Sequence, residues 1–422
     1  MPKCLQEKDS KRIMFKSVFK YTLFLMLMML MPSGLAAQMK QLSQAKDYLK
    51  TGKNLDKAES LIRSLLADSA QKDNLKAWQM LVETLKTQYE QGNEKMYLKQ
   101  KYDTLSFFVT TRKLFEAAES ADSVDAKPDD NGHVKTKYRE RNSQYLKTIM
   151  PNIFYGGLYF INKKDYETAY KYFNHFISLP ALPLYKDLKL KADDNMRISA
   201  AYWTMYCGFK LNSAEMILKY DELAEKDTSQ LAFIWQYKAE AYSLIHDMPR
   251  YVGLLQEGFD KYPKFPFFFP RLMEYFDDTN QLDSALALAD RSIDVDSTSH
   301  FYRYAKSSVL LNMGRYEECL DICKQLISEN GNLADAYYNA GLAYFNMAVE
   351  LDKNRQSSRQ MRQKTLKYYR EALPYLEKYR EMAPDRKDNW LSPLYTIYLN
   401  LNMGKKFDEI DKIRYEYKRN NK

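Results

Sequence analysis

The sequence is poor in the two residues that most often interrupt helices. Glycine and proline each occur 13 times among 422 residues, about 3 % each, whereas typical proteins contain about 7 % glycine and 5 % proline. Because these two residues are the least compatible with a helix interior, their scarcity favours a helical chain. The length allows either more than one core or one long row of repeated units.

Cysteine is also scarce, and its placement does not suggest a zinc site. Only three of the four cysteines, Cys207, Cys319 and Cys323, lie beyond residue 37. Cys319 and Cys323 are four residues apart on one predicted helix, with no nearby histidine. They stand 34 residues after Ala285 and Ala289. We therefore expect both thiols to be small core residues.

The chain lacks the motifs that usually carry chemistry. Its four histidines lie far apart, and no H-E-x-x-H motif, glycine-rich phosphate loop or G-x-S-x-G motif occurs. The acidic stretch from Asp122 to Gly132 lacks the ligand spacing of a calcium loop. We therefore predict no catalytic residues, no metal site and no cofactor.

The charge balance does not indicate nucleic-acid binding. The formal net charge is +9, and six basic and two acidic residues lie among the first 37, which leaves +5 on the rest of the chain. A charge this small on a long chain is typical of solvated helix faces. We expect no nucleic-acid partner.

The first 37 residues have the layout of a secretory signal. Basic residues between Lys11 and Lys16 precede an apolar run from Tyr21 to Met31, and small residues follow up to Ala37. The run is short for a membrane span, which needs about 20 apolar residues. We predict a cleaved signal and an exported protein of the periplasm or cell envelope. The alternative is an inner-membrane protein anchored by an uncleaved N-terminal signal.

A 34-residue period organises the second half of the chain, from Leu231 onwards. Large residues recur at this spacing at Tyr242, Phe276, Leu310 and Tyr344. A fixed period of this size is typical of stacked supersecondary units. Large and small residues alternate at helical spacing within each period, which indicates a helical hairpin. Such a hairpin buries its apolar face only against neighbouring hairpins.

The best-defined units resemble the tetratricopeptide repeat (TPR), whose pattern is W-x2-L-G-x2-Y followed by A-x3-F and P. Tyr337-x2-Ala340-Gly341-x2-Tyr344 matches nearly the whole first helix, and Ile153-x2-Gly156-Gly157-x2-Phe160 is a second strong match. Arg303 departs from the pattern because it occupies an apolar position. The resemblance implies an all-α fold, an α-solenoid of stacked helical hairpins wound as a right-handed superhelix. Its concave trough would bind protein or peptide segments.

On this basis the chain divides into five segments. They are a signal peptide (1–37), N-terminal TPR-like hairpins (38–121), a polar loop (122–137), further TPR-like repeats (138–225) and a regular 34-residue array (226–422) with an inserted extension near 346–370 and a C-terminal capping helix.

The predicted function is a non-catalytic scaffold for protein–protein interaction. The Lys and Asn set with which some TPR proteins hold C-terminal carboxylates is absent, since Gln236 and Glu240 fill the matching positions in one unit. Tyr304 and Ser308 fill them in another. One alternative is a glycan-binding module of the cell envelope, which the 35 tyrosines suit better than the four tryptophans. Another is an enzyme with an unfamiliar site, which would need titratable residues that converge in the fold.

A row of phenylalanines supplies the candidate partner-binding surface. Phe233, Phe267 and Phe301 lie 34 residues apart, each near the start of a first helix. In TPR proteins this position commonly faces the trough, so we predict a row of exposed rings. The alternative is that the rings pack as core between repeats. Three further residues complete the candidate surface: Tyr304, Tyr338 and Phe345.

A basic extension is the second candidate surface. Nineteen residues are inserted between Tyr344 and Ala372 relative to an earlier unit, which predicts that both helices of this hairpin are prolonged. The basic residues of the extension are Arg355, Arg359, Arg362, Lys364 and Lys367. They would suit an anionic partner or envelope surface, and the alternative is a solvated pair of helix ends.

Overall fold

The computed structural model describes residues 33–129, 131–353 and 358–420. All regular secondary structure in these ranges is helical, as the scarcity of glycine and proline predicted. Within them, none of the helices combines the length and the hydropathy that a membrane span requires. Most of the predicted signal peptide, residues 1–32, lies outside the described residues.

The described residues form two compact units, which divide between Ile245 and His246. The division falls inside the predicted regular array rather than at its start near residue 226. The first unit contains the helices α1 (Ser33–Thr51), α2 (Leu55–Leu66), α3 (Leu75–Tyr97), α4 (Thr104–Asp125), α5 (Arg139–Ile149), α6 (Pro151–Asn162), α7 (Tyr166–Ser178), α8 (Asn195–Lys210), α9 (Ala214–Leu218), α10 (Asp221–Ala224) and α11 (Leu231–Leu244).

Two consecutive glycines allow a close contact between two helices of the first unit. A Cβ atom on Gly156 of α6 would lie 2.5 Å from the ring of Tyr172 in α7, and one on Gly157 would lie 2.6 Å from the ring of Phe173. Both rings are buried. Only glycine allows the two helices to approach this closely, which is the role that the TPR-like motif predicted for small residues.

The polar segment after α4 begins later than predicted, because α4 continues four residues further, to Asp125. The buried carboxylate of Asp122 accepts two hydrogen bonds from the guanidinium of Arg139, at 2.8 and 2.9 Å. Asp125 accepts hydrogen bonds from the backbone N–H groups of Lys137 and Tyr138, both at 2.7 Å. Both carboxylates therefore lie in α4 rather than in the loop. They bind the residues at the end of the loop, which supply the hydrogen-bond partners that buried acids need.

The second unit is a series of hairpins. Its helices are α12 (Met248–Lys261), α13 (Phe268–Asp278), α14 (Leu282–Val295), α15 (His300–Asn312), α16 (Tyr316–Glu329), α17 (Ala334–Asp352), α18 (Arg359–Met382), α19 (Lys387–Asn400) and α20 (Gly404–Asn420).

Small residues also control packing in the second unit. A Cβ atom on Gly341 of α17 would lie 2.6 Å from Cγ of Leu376, a fully buried residue of α18. Cys319 and Cys323 of α16 are both fully buried, with their Sγ atoms 4.0 Å apart. The prediction that these two thiols are small core residues is confirmed.

The turns inside the hairpins repeat with the same 34-residue register. Asn212, His246, Asn280 and Gly314 all have positive φ, between 51° and 74°. The backbone N–H that follows Asn280 donates to the carbonyl of Phe276 at 2.7 Å, and equivalent hydrogen bonds close the turns at Asn212 and Gly314. This geometry is the Schellman motif, which ends a helix with one left-handed residue. The register therefore begins before Leu231.

The inserted extension lengthens both helices of its hairpin, as predicted. Helices α17 and α18 contain 19 and 24 residues, whereas the helices of the preceding hairpin contain 13 and 14. Most of the insertion therefore lies in α18. Its basic residues Arg359, Arg362, Lys364 and Lys367 are exposed, and Arg355 lies outside the described residues. Their role as a docking surface stays a prediction.

Candidate functional site

A groove of about 290 Å³ lies between α13 and α15, the first helices of two consecutive hairpins. Helix α13 contributes Phe269, Met273 and Asp277 to its walls, and α15 contributes Phe301 and Tyr304. Repeated hairpins place their equivalent helices side by side, so that residues at one repeat position form a continuous surface. The groove lies on such a surface.

One end of the groove is apolar. The ring of Phe301, which is 53 % exposed, meets the ring of Phe269 edge to face, with 5.5 Å between their centroids. Phe269 is buried, and its ring also contacts Tyr302 at 4.9 Å. A core ring therefore supports an exposed ring, and this arrangement suits contact with an apolar side chain.

The other end of the groove carries two carboxylates and an amide. Asn312 Nδ2 donates a hydrogen bond to Asp277 Oδ1 at 3.1 Å, which joins α15 to α13. Glu274 accepts a hydrogen bond from Arg271 on its own helix, at 2.9 Å between Nη1 and Oε2. None of the residues that line the groove is basic. The groove is therefore apolar at one end and acidic at the other.

Tyr304 adds a phenol to the wall of the groove. Burial raises the pKa of its hydroxyl above the ordinary value of 10.0. The predicted residue Tyr338 is half-buried, and its ring lies 4.8 Å from the ring of the buried residue Tyr379. The hydroxyl of Tyr379 accepts a hydrogen bond from Asn389 at 2.8 Å. Tyr338 is thus part of a packed group of rings, whereas Tyr304 reaches the groove.

The other predicted residues differ in exposure. Phe267 is half-buried, and its ring meets that of Phe268 edge to face at 5.5 Å. Phe345 is half-buried, with its ring 5.9 Å from that of Tyr369. Phe233 belongs to the first unit and is 43 % exposed. A row of three phenylalanine rings stays a prediction, and the groove contains only Phe301 of the three.

Sequence reasoning missed the acidic end of the groove. Pro270 and Glu274, which line it, lie 34 residues before Tyr304 and Ser308, which line it too. The sequence therefore contained the information needed to predict this part of the groove, because residues four apart on a helix share one face. Pro270 was not in the predicted surface, but it is the repeat equivalent of Tyr304, and one helical turn beyond it lies Glu274.

No protein-family model matches the sequence, and no curated protein matches it significantly. Among solved structures, the chain is similar to MamA of AMB-1, with 17 % identity over 45 % of this chain and 94 % of that one, at a TM-score of 0.32. It is similar to the C-terminal part of a TPR repeat-containing protein from Cytophaga hutchinsonii, with 13 % identity over 61 % and 93 % of the two chains, at a TM-score of 0.44.

A third similar structure is YrrB, described as a TPR protein with an unusual peptide-binding site. The identity is 20 % over 47 % of this chain and 92 % of that one, at a TM-score of 0.32. Similarity at this level concerns the fold alone. The fold assignment rests on features of this chain: its paired helices, its 34-residue spacing and its repeated left-handed turns. The chain is an all-α helical-repeat protein with TPR-like hairpins.

Proposed function

We propose that the protein is a non-catalytic scaffold that binds an extended segment of a partner protein in the groove between α13 and α15. The observation that carries this proposal is the exposed ring of Phe301, supported by the buried ring of Phe269 at the apolar end of the groove. Exposed apolar surface with a polar rim marks interaction sites, and aromatic residues are enriched among those that dominate binding energy.

The size and chemistry of the groove suit a peptide segment. Its volume of about 290 Å³ is at the lower limit of small-molecule pockets, which is enough for side chains of an extended chain. At its polar end the amide of Asn312, which uses Nδ2 to donate to Asp277, can accept a hydrogen bond from a peptide N–H through Oδ1. These features favour a protein segment that lies along the groove.

A glycan-binding module is the alternative function. Sugar rings bind to exposed aromatic faces, for which tryptophan offers the largest area. None of the four tryptophans is exposed: Trp78, Trp203 and Trp235 are half-buried, and Trp390 is buried. This distribution favours the protein segment over a glycan.

The proposed location is the periplasm or cell envelope, and it rests on the N-terminal sequence alone. Basic residues, an apolar run and small residues succeed one another up to Ala37. Mass spectrometry of the native protein should find an N-terminus between Ala36 and Gln38. An intact N-terminal signal in the membrane fraction would instead support the anchored alternative.

Site-specific photocrosslinking in the native host tests the interaction. A photoreactive phenylalanine analogue at Tyr304 should crosslink to a protein partner, and adding Phe301→Ala should abolish the crosslink. The matched control carries the analogue at Tyr415 of α20, an exposed position outside the groove. Equal capture from both positions would contradict groove binding. Binding of soluble oligosaccharides on a glycan array that Phe301→Ala abolishes would favour the alternative.

A further inference from the structure

We infer that the segment bound in the groove carries an apolar side chain beside a lysine or arginine. The apolar side chain would contact Phe301 and Met273, and the basic side chain would lie against Asp277 and Glu274. This inference rests on the proposed function, because it specifies the chemistry of the segment that the groove binds.

The apolar part of the inference follows from what lines the groove near Phe301. Its floor is formed by Ala285 and Val309, both buried, and Met273 is half-buried in its wall. A polar side chain placed there would lose its hydrogen bonds to water without gaining others. Met273 also adapts its shape to different apolar partners, so that aliphatic and aromatic side chains both fit.

The basic part follows from the charges at the opposite end. Asp277 is hydrogen-bonded by the amide of Asn312 at 3.1 Å, a neutral partner that leaves the negative charge of the carboxylate in place. Glu274 has a basic neighbour in Arg271, but both side chains are exposed and Arg271 does not line the groove. Such an exposed pair screens the charge of Glu274 only in part. An incoming cation therefore meets two carboxylates.

The distance between the two ends fits neighbouring positions of one extended segment. Phe269 and Asp277 lie eight residues apart on α13, which corresponds to about 12 Å along a helix. Side chains of an extended chain repeat on one side about every 6.6 to 6.8 Å. An apolar side chain and a long basic side chain two residues apart can thus reach both ends together.

Charge should decide which segments bind, in addition to its effect on how tightly they bind. Electrostatic complementarity at an exposed site contributes mainly to specificity and association rate. An acidic segment would place like charges against Asp277 and Glu274 and would be rejected. The groove therefore favours basic segments, whereas a surface that binds carboxylates would favour acidic ones.

A randomised heptapeptide library displayed on phage tests the inference with the full-length protein. Peptides selected on the wild type should be enriched in an apolar residue two positions from a lysine or arginine. Synthetic versions, measured by fluorescence anisotropy, should bind the double variant Glu274→Gln/Asp277→Asn about tenfold more weakly, which corresponds to about 1.4 kcal/mol. Asp278→Asn, an exposed acid next to the groove lining, should bind them like the wild type.

The outcomes separate the inference from the proposed function. Asparagine at position 277 can still accept the hydrogen bond from Asn312, and an unchanged thermal midpoint would show that the double variant is folded. The inference would be overturned by selected peptides that lack basic residues, or that bind the double variant as tightly as the wild type. If Phe301→Ala still weakens the binding of those peptides, the proposal that they bind in the groove remains supported. Peptides insensitive to Phe301→Ala would overturn the proposed function itself.

Discussion

The guanidinium of Arg303 lies against the carboxylate of Glu329, with 2.8 Å between Nη1 and Oε1 and 2.5 Å between Nη2 and Oε2. This two-point contact explains how a basic residue occupies a repeat position that Phe269 fills one unit earlier. The stem of Arg303 is largely covered while its charged end reaches the acid on the second helix of the same hairpin. An ion pair thus replaces an aromatic contact.

Glu329→Gln should destabilise the second unit near pH 7 and have less effect in acid. The hydrogen bonds from Arg303 lower the pKa of Glu329 from 4.5 to about 2. A carboxylate with a lowered pKa stabilises the fold fully above its unfolded value, and this stabilisation is lost as the pH falls towards the folded value. Urea midpoints of wild type and variant should converge between about pH 5 and pH 2. A pH-independent difference would contradict the role of this charge.

Gly341→Ala should cost about 1–3 kcal/mol of stability, because the added Cβ atom would lie 2.6 Å from the buried side chain of Leu376. Gly253→Ala in α12 is the matched control, since a Cβ atom there has no neighbour within 4 Å. The control should be neutral or stabilising by up to about 1 kcal/mol. Chemical unfolding measures the free energy of unfolding of both variants. Equal effects would contradict the inference that the close contact with Leu376 requires glycine at position 341.

Phe269→Ala and Phe301→Ala should differ sharply although their rings touch. Phe269 is 2 % exposed, so its removal should cost about 3–5 kcal/mol. Phe301 is mostly exposed, and its removal should cost about 1 kcal/mol or less while weakening partner binding. Urea midpoints and a binding assay on the same samples decide this. A large loss of stability in Phe301→Ala would assign that ring to the core.

The thiol of Cys207 should resist modification in the folded protein. Burial raises its pKa from 9.0 to about 12, which lowers the thiolate fraction at pH 8 by about a factor of 10³. Reaction with a chromogenic disulfide reagent at pH 8 should therefore be slow until denaturant is added. Mass spectrometry would identify the modified residue. Rapid modification of Cys207 under native conditions would contradict its burial.

The hairpins could be predicted because packing makes strict demands on residue size. Gly341 must be small where Leu376 crosses it, and Cys319 and Cys323 fill positions that alanines fill one repeat earlier. These demands recur with the repeat, so that the spacing alone shows them. The same reasoning identified Arg303 as a departure but could not indicate that Glu329 would pair with it.

The acidic end of the groove was harder to predict, because the hydrogen bond that joins its two helices does not require residues of a particular size. The hydrogen bond between Asn312 and Asp277 joins residues 35 positions apart, and it depends on how two helices lie against each other. Polar residues occupy most exposed helix positions, so that neither residue stands out in the sequence. Phe301, which the 34-residue spacing indicated, and Tyr304 line the groove, and their role in binding stays a prediction.

The left-handed turns at Asn212, Asn280 and Gly314 bear on how the array evolves. Each turn is closed by a backbone hydrogen bond within its own hairpin, so its geometry does not depend on which hairpin follows. A stretch of the gene that encodes 34 residues can therefore be duplicated or lost with both breakpoints in equivalent turns. The segment that such an event adds or removes runs from the second helix of one hairpin to the first helix of the next, so the array can change in length by one repeat while every turn keeps its geometry.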